Sequence, residues 1–506
     1  MVPGTVVRIA LGLGLAGAAV GGAAGGCAGG CTESDAEARE ARERPETART
    51  DFDGTEEAPA TDEETRERRD RIEREYPLHG VVTGVHLAAR EAPDPEAPAV
   101  GWLRIGSRVR LAEDVEKTGT CSSGWYRVHP RGWVCAGLGV EVEPQPPEVE
   151  LVVDPPRGDD ALPYAYHFIK ENMVPEYHRL PSRDEQRAAQ AYADRYFEIL
   201  EESERRAEHF LRGELEGELE KPAVVRRYLE RGFYVAGTAV EVRAFRRFVR
   251  TVWGSYVKEA RTVRRTGSGF QGVELDDDQT LPLAFALRAI RPLVREPEED
   301  GPDRFKSDEE AEVFERQSVV EAWVARERIG DRVYHRLEID GEPRYARAWF
   351  IGVAERVEAP SEVREGEPWV HVDLSEQTLV LYRGDEPVYA TLVSTGVDEH
   401  ATPTGVFTID RKLISDTMSD LGPEAGDDRY RIEDVPWTQY FDGSVALHGA
   451  FWHNRFGLQR SHGCVNMSPR DAHRVFLATW PRVPEGWHGV TTDGTGLTPS
   501  HVVVTE

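Results

Sequence analysis

From Glu367 onward, apolar and polar residues alternate with a period of two. In WVHVDLSEQTLVLYRGDEPVYATLVSTG the apolar positions Val370, Val372 and Leu374 are followed by Leu379 and Leu381, the spacing of strands that bury one face. Arg383-Gly384-Asp385 between two such runs predicts a hairpin turn, and TPTGVFTI, Thr402 to Ile409, predicts a turn into a further strand. The period then changes. SPRDAHRVFLATW reads as a helix that begins after Ser468, with Asp471 as a helix-start residue. Residues 367–506 are expected to form one mostly β domain.

Upstream, Leu78 to Val142 carries short apolar runs (Val81-Val82, Val109-Arg110-Leu111, Trp125 to Val128, Trp133-Val134) broken by Gly, Pro and Asp. Short strands at that spacing predict a small β-barrel over 78–143. Pro144 to Gly158 is Pro-rich and reads as a connector. Residues 159–231 are expected to be helical. Ser182 and Glu185 make a capping box, and Tyr192, Tyr196, Phe197, Leu200 and Phe210 follow at roughly helical spacing. Residues 232–358 return to β-rich patterning in GFYVAG, RTVWGSYVKEARTV and RVYHRLEIDGEPRYARAWFIGVAE, with an acidic loop expected over Glu296 to Glu312. The fold class is a mainly β multidomain chain, α+β overall.

Composition adds the segments that carry no such pattern. At 506 residues the chain is long enough for about three or four domains. Residues 32–77 are dominated by Glu, Asp and Arg and predict a disordered charged linker, because so few apolar groups cannot offset the entropy of ordering. The net charge of −29 makes nucleic acid an unsuitable partner, since phosphate would be repelled. Residues 1–31 read as an export signal: Arg8 supplies a thin positive region, Val6 to Val20 is an apolar Gly/Ala-rich run, and small residues follow. Cys27 and Cys31 each sit behind Ala-Gly-Gly, so either is a candidate for lipidation, with plain secretion as the alternative. The chain is accordingly expected in the periplasm or cell envelope, with a membrane anchor if a lipid is attached.

Export permits disulfides. Cys121 and Cys135 flank an expected hairpin and are assigned to a bridge. That leaves Cys464 alone, inside HGAFWHNRFGLQRSHGCVNM, His448 to Met467. A thiolate is a nucleophile, and a neighbouring imidazole takes its proton or stabilises the ion pair. His462, two residues away, would share a strand face with Cys464, and His448 would reach across from a neighbouring strand. Gly449 and Gly463 let backbone approach a partner closely. A carbonyl beside the base would hold one tautomer, and N–H groups around Gly463 and Cys464 would stabilise an oxyanion. The same residues also admit a structural thiol, or a metal site of His448, His453, His462 and Cys464, although zinc favours closer thiol spacing. No metal or cofactor is expected.

Two stretches resemble known families. GWLRIGSRVRL, SGWYRV and RGWVC are similar to a bacterial SH3-like domain, and 232–358 is a further candidate for such units. His448, Ser461, His462, Gly463, Cys464, Val465 and Asn466 resemble the signature of the YkuD-type L,D-transpeptidase catalytic domain, with VSTG (Val393–Gly396), TPTGVF and DVPWTQYF (Asp434–Phe441) at the places expected of it. The resemblance covers 367–506. It implies that Cys464 is the nucleophile and His448 the base, oriented by the Gly449 carbonyl, with His462 and Gly463 completing the site. It implies peptidoglycan stem peptides as partners: the thiol attacks the bond between diaminopimelate and D-Ala, and an amine takes the acyl group from the thioester. Ser461, Asn466, Arg455, Arg460, Trp437 and Tyr440 are candidates for the substrate groove. An L,D-carboxypeptidase using water, a non-catalytic wall-binding scaffold and a general cysteine peptidase are the rival readings. Nothing in the residues fixes an oligomeric state.

Overall fold

The computed structural model describes residues 62–147, 156–158, 160–298, 301–397, 400–421 and 429–506, together with the backbone of two short strands at 49–50 and 56–57. The expected export signal with Cys27 and Cys31 lies outside the described residues. The described chain is rich in strands. Among the described residues no helix is long and apolar enough to cross a membrane.

The charged linker ends in a helix rather than in disorder. Helix α1, Asp62–Glu75, has the sequence DEETRERRDRIERE. It places Glu64, Glu67 and Asp70 four residues before Arg68, Arg71 and Arg74, and acid-to-base pairs at that spacing support a helix that has no apolar stripe.

Seven strands follow between Leu78 and Glu143, all paired antiparallel. Val82, Leu87, Val100, Leu103, Leu111, Val128 and Val134 fill their core, and a Cys121–Cys135 disulfide closes one end. This region does not stand apart from the last domain. Trp487 and Val490 pack into its core, the strand Gly489–Thr491 pairs with Ala99–Arg104 through Gly489 and Trp102, and the Trp487 indole donates to the His129 carbonyl at 2.9 Å.

The boundary expected at residue 231 falls inside one sheet. Before it, Ala165–Ile169 pairs with Tyr234–Arg243 and Thr262–Arg265 from after it, and Val174–Tyr177 pairs both with Val225–Leu229 and, across the boundary, with Tyr256–Lys258. Helices α2 (Arg183–Glu202) and α3 (Glu204–Leu211) are an insertion between two of these strands. The capping box is present: the Glu185 N–H donates to Ser182 Oγ at 3.1 Å and the Ser182 N–H to Glu185 Oε2 at 2.8 Å. Residues 283–354 form a separate five-stranded sheet and a two-stranded pair, Leu283–Ala286 with Ile351–Ala354. The expected acidic loop contains a strand, Arg304–Ser307.

The last domain packs two sheets. One runs, in order, Val273–Glu274, Glu386–Leu392, Thr378–Arg383, Pro368–Asp373, His501–Thr505 and Gly405–Thr408. The other holds the long hairpin Arg411–Asp420 and Tyr430–Asp442, then Val445–Gly449 and Val465–Met467. Val370, Val372 and Leu379 face Trp437, Phe441, Leu447, Val465 and Met467 across the core, and helix α4 (Pro469–Ala478) closes it with Val475 and Phe476. The first sheet is also covered on its other face, where Trp369, Val380 and Tyr382 meet Leu283 and Phe285. Its central strands are therefore buried on both faces instead of alternating.

Candidate active site

The short parallel pair Val445–Gly449 and Val465–Met467 sets the site. Its register is Leu447 to Val465, His448 to Asn466 and Gly449 to Met467. Cys464 precedes the second strand by one residue. It therefore lies on the same face as Asn466 and His448, one step along from the imidazole. Both Cys464 and His448 line a cavity of about 790 Å³.

Two neighbouring segments, about sixty residues upstream, hold the cysteine turn. The VSTG segment runs beside it: Ser394 exchanges backbone hydrogen bonds with Asn466, and the Arg460 and Ser461 N–H groups donate to the Thr395 carbonyl at 2.9 Å. Thr402 lies between the segments. Its hydroxyl accepts from the Gly396 N–H at 2.9 Å and donates to the Gly463 carbonyl at 2.8 Å. Gly396 is required by packing, because a Cβ there would stand 2.0 Å from the His400 carbonyl oxygen. Gly463 adopts φ +109°, a left-handed backbone that favours glycine. Ser461 Oγ accepts from the Gly463 N–H at 3.2 Å and donates to the Cys464 carbonyl.

Burial favours the neutral form of both side chains. Burial lowers His448 from its ordinary value to about 4, partly opposed by its hydrogen bond to Gly449. Burial raises the Cys464 thiol, partly opposed by the Ala446 N–H, and Sγ lies 3.7 Å from the Ser444 carbonyl. His448 Nδ1 is 3.4 Å from the Gly449 carbonyl oxygen. With Nδ1 donating there, Nε2 keeps its lone pair. Trp452 stacks near the imidazole at 5.7 Å.

The expected site residues fall into two groups. His462, Ser461, Asn466, Arg460 and Tyr440 line the cavity with Cys464 and His448. His462 packs near His400 at 4.9 Å and Tyr430 at 5.6 Å. Tyr440 packs against Cys464, and its hydroxyl donates to Asp416 Oδ2 at 2.8 Å. Trp437 and Arg455 lie outside the lining. Trp437 is buried against Phe476 and His473, and its indole donates to the Ala161 carbonyl at 2.7 Å. Arg455 is exposed, and its backbone N–H donates to His453 Nδ1 at 3.2 Å. Gly449 does not line the cavity: a Cβ there would face Pro436 and Ala472 in the core, and it meets the site only through its carbonyl beside His448.

His453 is half-buried and sits behind Asn466, with Nε2 3.0 Å from the amide nitrogen and the amide oxygen buried without a partner. Because Nδ1 accepts from Arg455, Nε2 of the neutral ring carries the proton, and only the amide oxygen can receive it. That orientation satisfies the orphaned oxygen and turns the Asn466 NH2 toward the cavity.

Further walls come from residues that no motif marks. The long hairpin supplies Thr417, Met418, Tyr430 and Ile432, and the middle sheet supplies Gly232 and Tyr234. Tyr234 arrives because its strand meets the hairpin in parallel at Ile432.

Comparison with known proteins bears on this same segment. Residues 367–484 match the family model of the YkuD L,D-transpeptidase catalytic domain. The chain is 24% identical over 126 residues to "Putative L,D-transpeptidase YciB" of Bacillus subtilis, a match that spans 23% of this chain and 62% of that protein. Similar solved structures include an L,D-transpeptidase of Enterococcus faecium, at 21% identity over 30% of this chain and 55% of that one, TM-score 0.22. An L,D-transpeptidase of Mycobacterium smegmatis is similar at 16% identity over 42% of this chain and 100% of that one, TM-score 0.23. The YkuD match thus contains the cysteine turn, the histidine strand and the long hairpin, while the first sheet's strands Val273–Glu274 and His501–Thr505 and the regions before residue 367 lie outside it.

Proposed function

We propose that this chain is a peptidoglycan L,D-transpeptidase in which Cys464 is the acyl-accepting nucleophile. One observation carries the reading: within the YkuD-matching segment, a neutral thiol and a neutral imidazole share one face of a parallel strand pair and open into the same cavity.

Sγ attacks the carbonyl carbon of the diaminopimelate–D-Ala bond, and the thiol proton passes to Nε2 of His448. A neutral pair suits this sequence, because the base is deprotonated before attack and the thiolate forms only as it reacts. The Gly449 carbonyl fixes the tautomer. The Gly463 N–H is committed to Ser461 Oγ, so the Cys464 N–H is the backbone donor for the developing oxyanion. The imidazolium returns its proton to the D-Ala amine as that leaves. An incoming amine then attacks the thioester, gives its proton to His448 and restores the thiol. Arg460, exposed at the cavity mouth, is placed to receive a stem-peptide carboxylate.

The test uses the full chain, wild type and Cys464→Ala, with a disaccharide-tetrapeptide, read by intact mass and by D-Ala release. An acyl adduct and D-Ala release confined to wild type support the reading. A cross-linked product identifies an amine acceptor and a tripeptide identifies water. A folded wild-type protein that neither acylates nor releases D-Ala rules the reading out.

A further inference from the structure

A second cavity, of about 490 Å³, lies between helix α2 and the hairpin Tyr234–Arg243/Arg246–Thr251. Five cationic side chains line it: Arg183 and Arg187 from the helix, Arg246 and Lys258 from the sheet, and Arg261 from the short 3-10 turn Glu259–Arg261. No aspartate or glutamate is among its lining residues. In a chain of net charge −29, this concentration of positive charge is against the trend of the molecule. Two of the five have carboxylates on their outer side, Asp184 beside Arg187 and Glu171 beside Arg261. Arg246 has no carboxylate among its hydrogen-bond partners: its guanidinium donates to Gln186 Oε1 at 2.8 Å and to the Pro181 and Ser182 carbonyls at 3.1 and 3.4 Å and lies over the Phe248 ring at 5.6 Å, while its Nε is buried without a partner.

The rim is an aromatic ring. Phe245 is 100% exposed at the hairpin tip, and both Ala244 and Phe245 have positive φ, 48° and 63°. Asn-Gly fits such a two-residue turn with less strain, so this tip holds a bare phenyl ring in solvent at a backbone cost. Aromatic rings beside arginines suit a ligand that carries apolar sugar faces together with anions.

The strand Tyr234–Arg243 links this cavity to the first. It begins at Tyr234 in the Cys464 cavity and ends at the turn that lines the basic one. Nine steps of a strand span about 30 Å. A tetrapeptide reaches at most about 14 Å, so no stem peptide held at Cys464 extends into the second cavity.

We propose that the basic cavity is a carboxylate-recognition site that holds a second, distant repeat of the same wall polymer whose stem peptide enters the Cys464 cavity, with Phe245 stacked on a sugar ring. This rests on the function proposed above. The ligand is polymeric by geometry, because a single repeat satisfies one cavity and not the other.

The experiment separates the two ideas. Full-length Cys464→Ala protein, which cannot turn the polymer over, is sedimented with insoluble peptidoglycan, with and without Arg183→Glu, Arg187→Gln and Phe245→Gly, all at exposed positions. The triple change is expected to weaken retention at least tenfold, and added salt to weaken retention of the parent more than of the variant. Lys258→Gln, on the opposite wall, is the second variant and is expected to weaken retention in the same direction. D-Ala release from a soluble disaccharide-tetrapeptide by the Cys464-intact proteins reports the first cavity alone and is expected to stay within twofold. Equal retention of parent and both variants overturns the proposal, whereas absence of D-Ala release from wild type overturns the function on which it rests. Peptidoglycan stripped of phosphate by hydrofluoric acid is expected to retain the parent equally well. Retention that disappears with the phosphate overturns the carboxylate assignment.

Discussion

Arg104 and Asp434 form an ion pair with both side chains almost wholly buried, 3% and 2% exposed. Arg104 belongs to the first β region and Asp434 to the long hairpin strand, two residues beyond Ile432 of the cavity wall. Ser415 also donates to the Asp434 carboxylate at 2.9 Å, and the Arg104 guanidinium lies over the Trp253 ring at 4.9 Å. Three regions of the chain therefore meet at one charge pair. Removing one partner strands the other charge in the interior. Arg104→Met is expected to cost about 3–5 kcal/mol, and Arg104→Met with Asp434→Leu markedly less than either change alone. Urea unfolding of the three variants measures this.

The acid limb of activity reports the base. With His448 lowered to about 4 by burial, kcat/KM for tetrapeptide is expected to stay level from neutrality down to about pH 5. It then falls as the imidazole protonates, well below the limb near 6.5 that an exposed histidine gives. A pH–rate profile with a limb at 6.5 would assign base catalysis to another group.

Acid stability follows from the same physics at a different residue. His488 is buried and lowered to about 3 from 6.5, with desolvation as the main cause and the nearby Arg104 charge adding to it. A histidine depressed in the folded state contributes stability that is present above its unfolded value and is lost as pH falls through the folded one. Between about pH 6.5 and 3 the unfolded chain binds one more proton here, which steepens the loss by up to about 1.4 kcal/mol per pH unit. His488→Gln is expected to flatten that slope over this window, whatever its effect at pH 7. Unfolding free energies measured from pH 7 to pH 4 check it.

Thr402 offers a test of the cysteine turn without touching a reacting atom. Thr402→Val leaves the Gly396 N–H and the Gly463 carbonyl without their partner, at about 1–3 kcal/mol for each buried group. The loosened turn is expected to lower kcat at least tenfold with a smaller change in KM, and Thr402→Ser to restore most of it. Steady-state kinetics on the tetrapeptide, beside melting curves, separate a loosened turn from a lost fold.

What the sequence revealed depended on how local the signal was. Cys464, His462 and His448 stand within one stretch, where residue type and spacing marked them as candidates and the resemblance to the YkuD signature supplied the roles proposed for them. Tyr234 lies more than two hundred positions upstream and reaches the cavity only through one parallel contact with Ile432, a relation no local pattern encodes. Trp437 resembled a groove residue because it is aromatic and near the histidine strand, yet it turns inward to the Ala161 carbonyl. The period-two signal placed the strands around Val370 correctly but misjudged their outer face, because Leu283 and Phe285 cover it from a region with no motif of its own. Helix α2 was legible from its capping box and the helical spacing ran on to Phe210, but the break at Ser203 that starts α3 was not read, and the short strands around them, four or five residues each, fell below what periodicity resolves.

The pairing of Gly489 with Trp102 has a practical corollary for protein production. A fragment cut at the domain boundary near Glu367 would bare one side of the strand Gly489–Thr491 and leave the Trp487 indole without its cover. An unprotected strand edge beside an exposed indole is a template for intermolecular pairing. Soluble expression of the last domain is therefore expected to require the polypeptide from Leu78 onward, and a shorter fragment to precipitate or to self-associate through that edge.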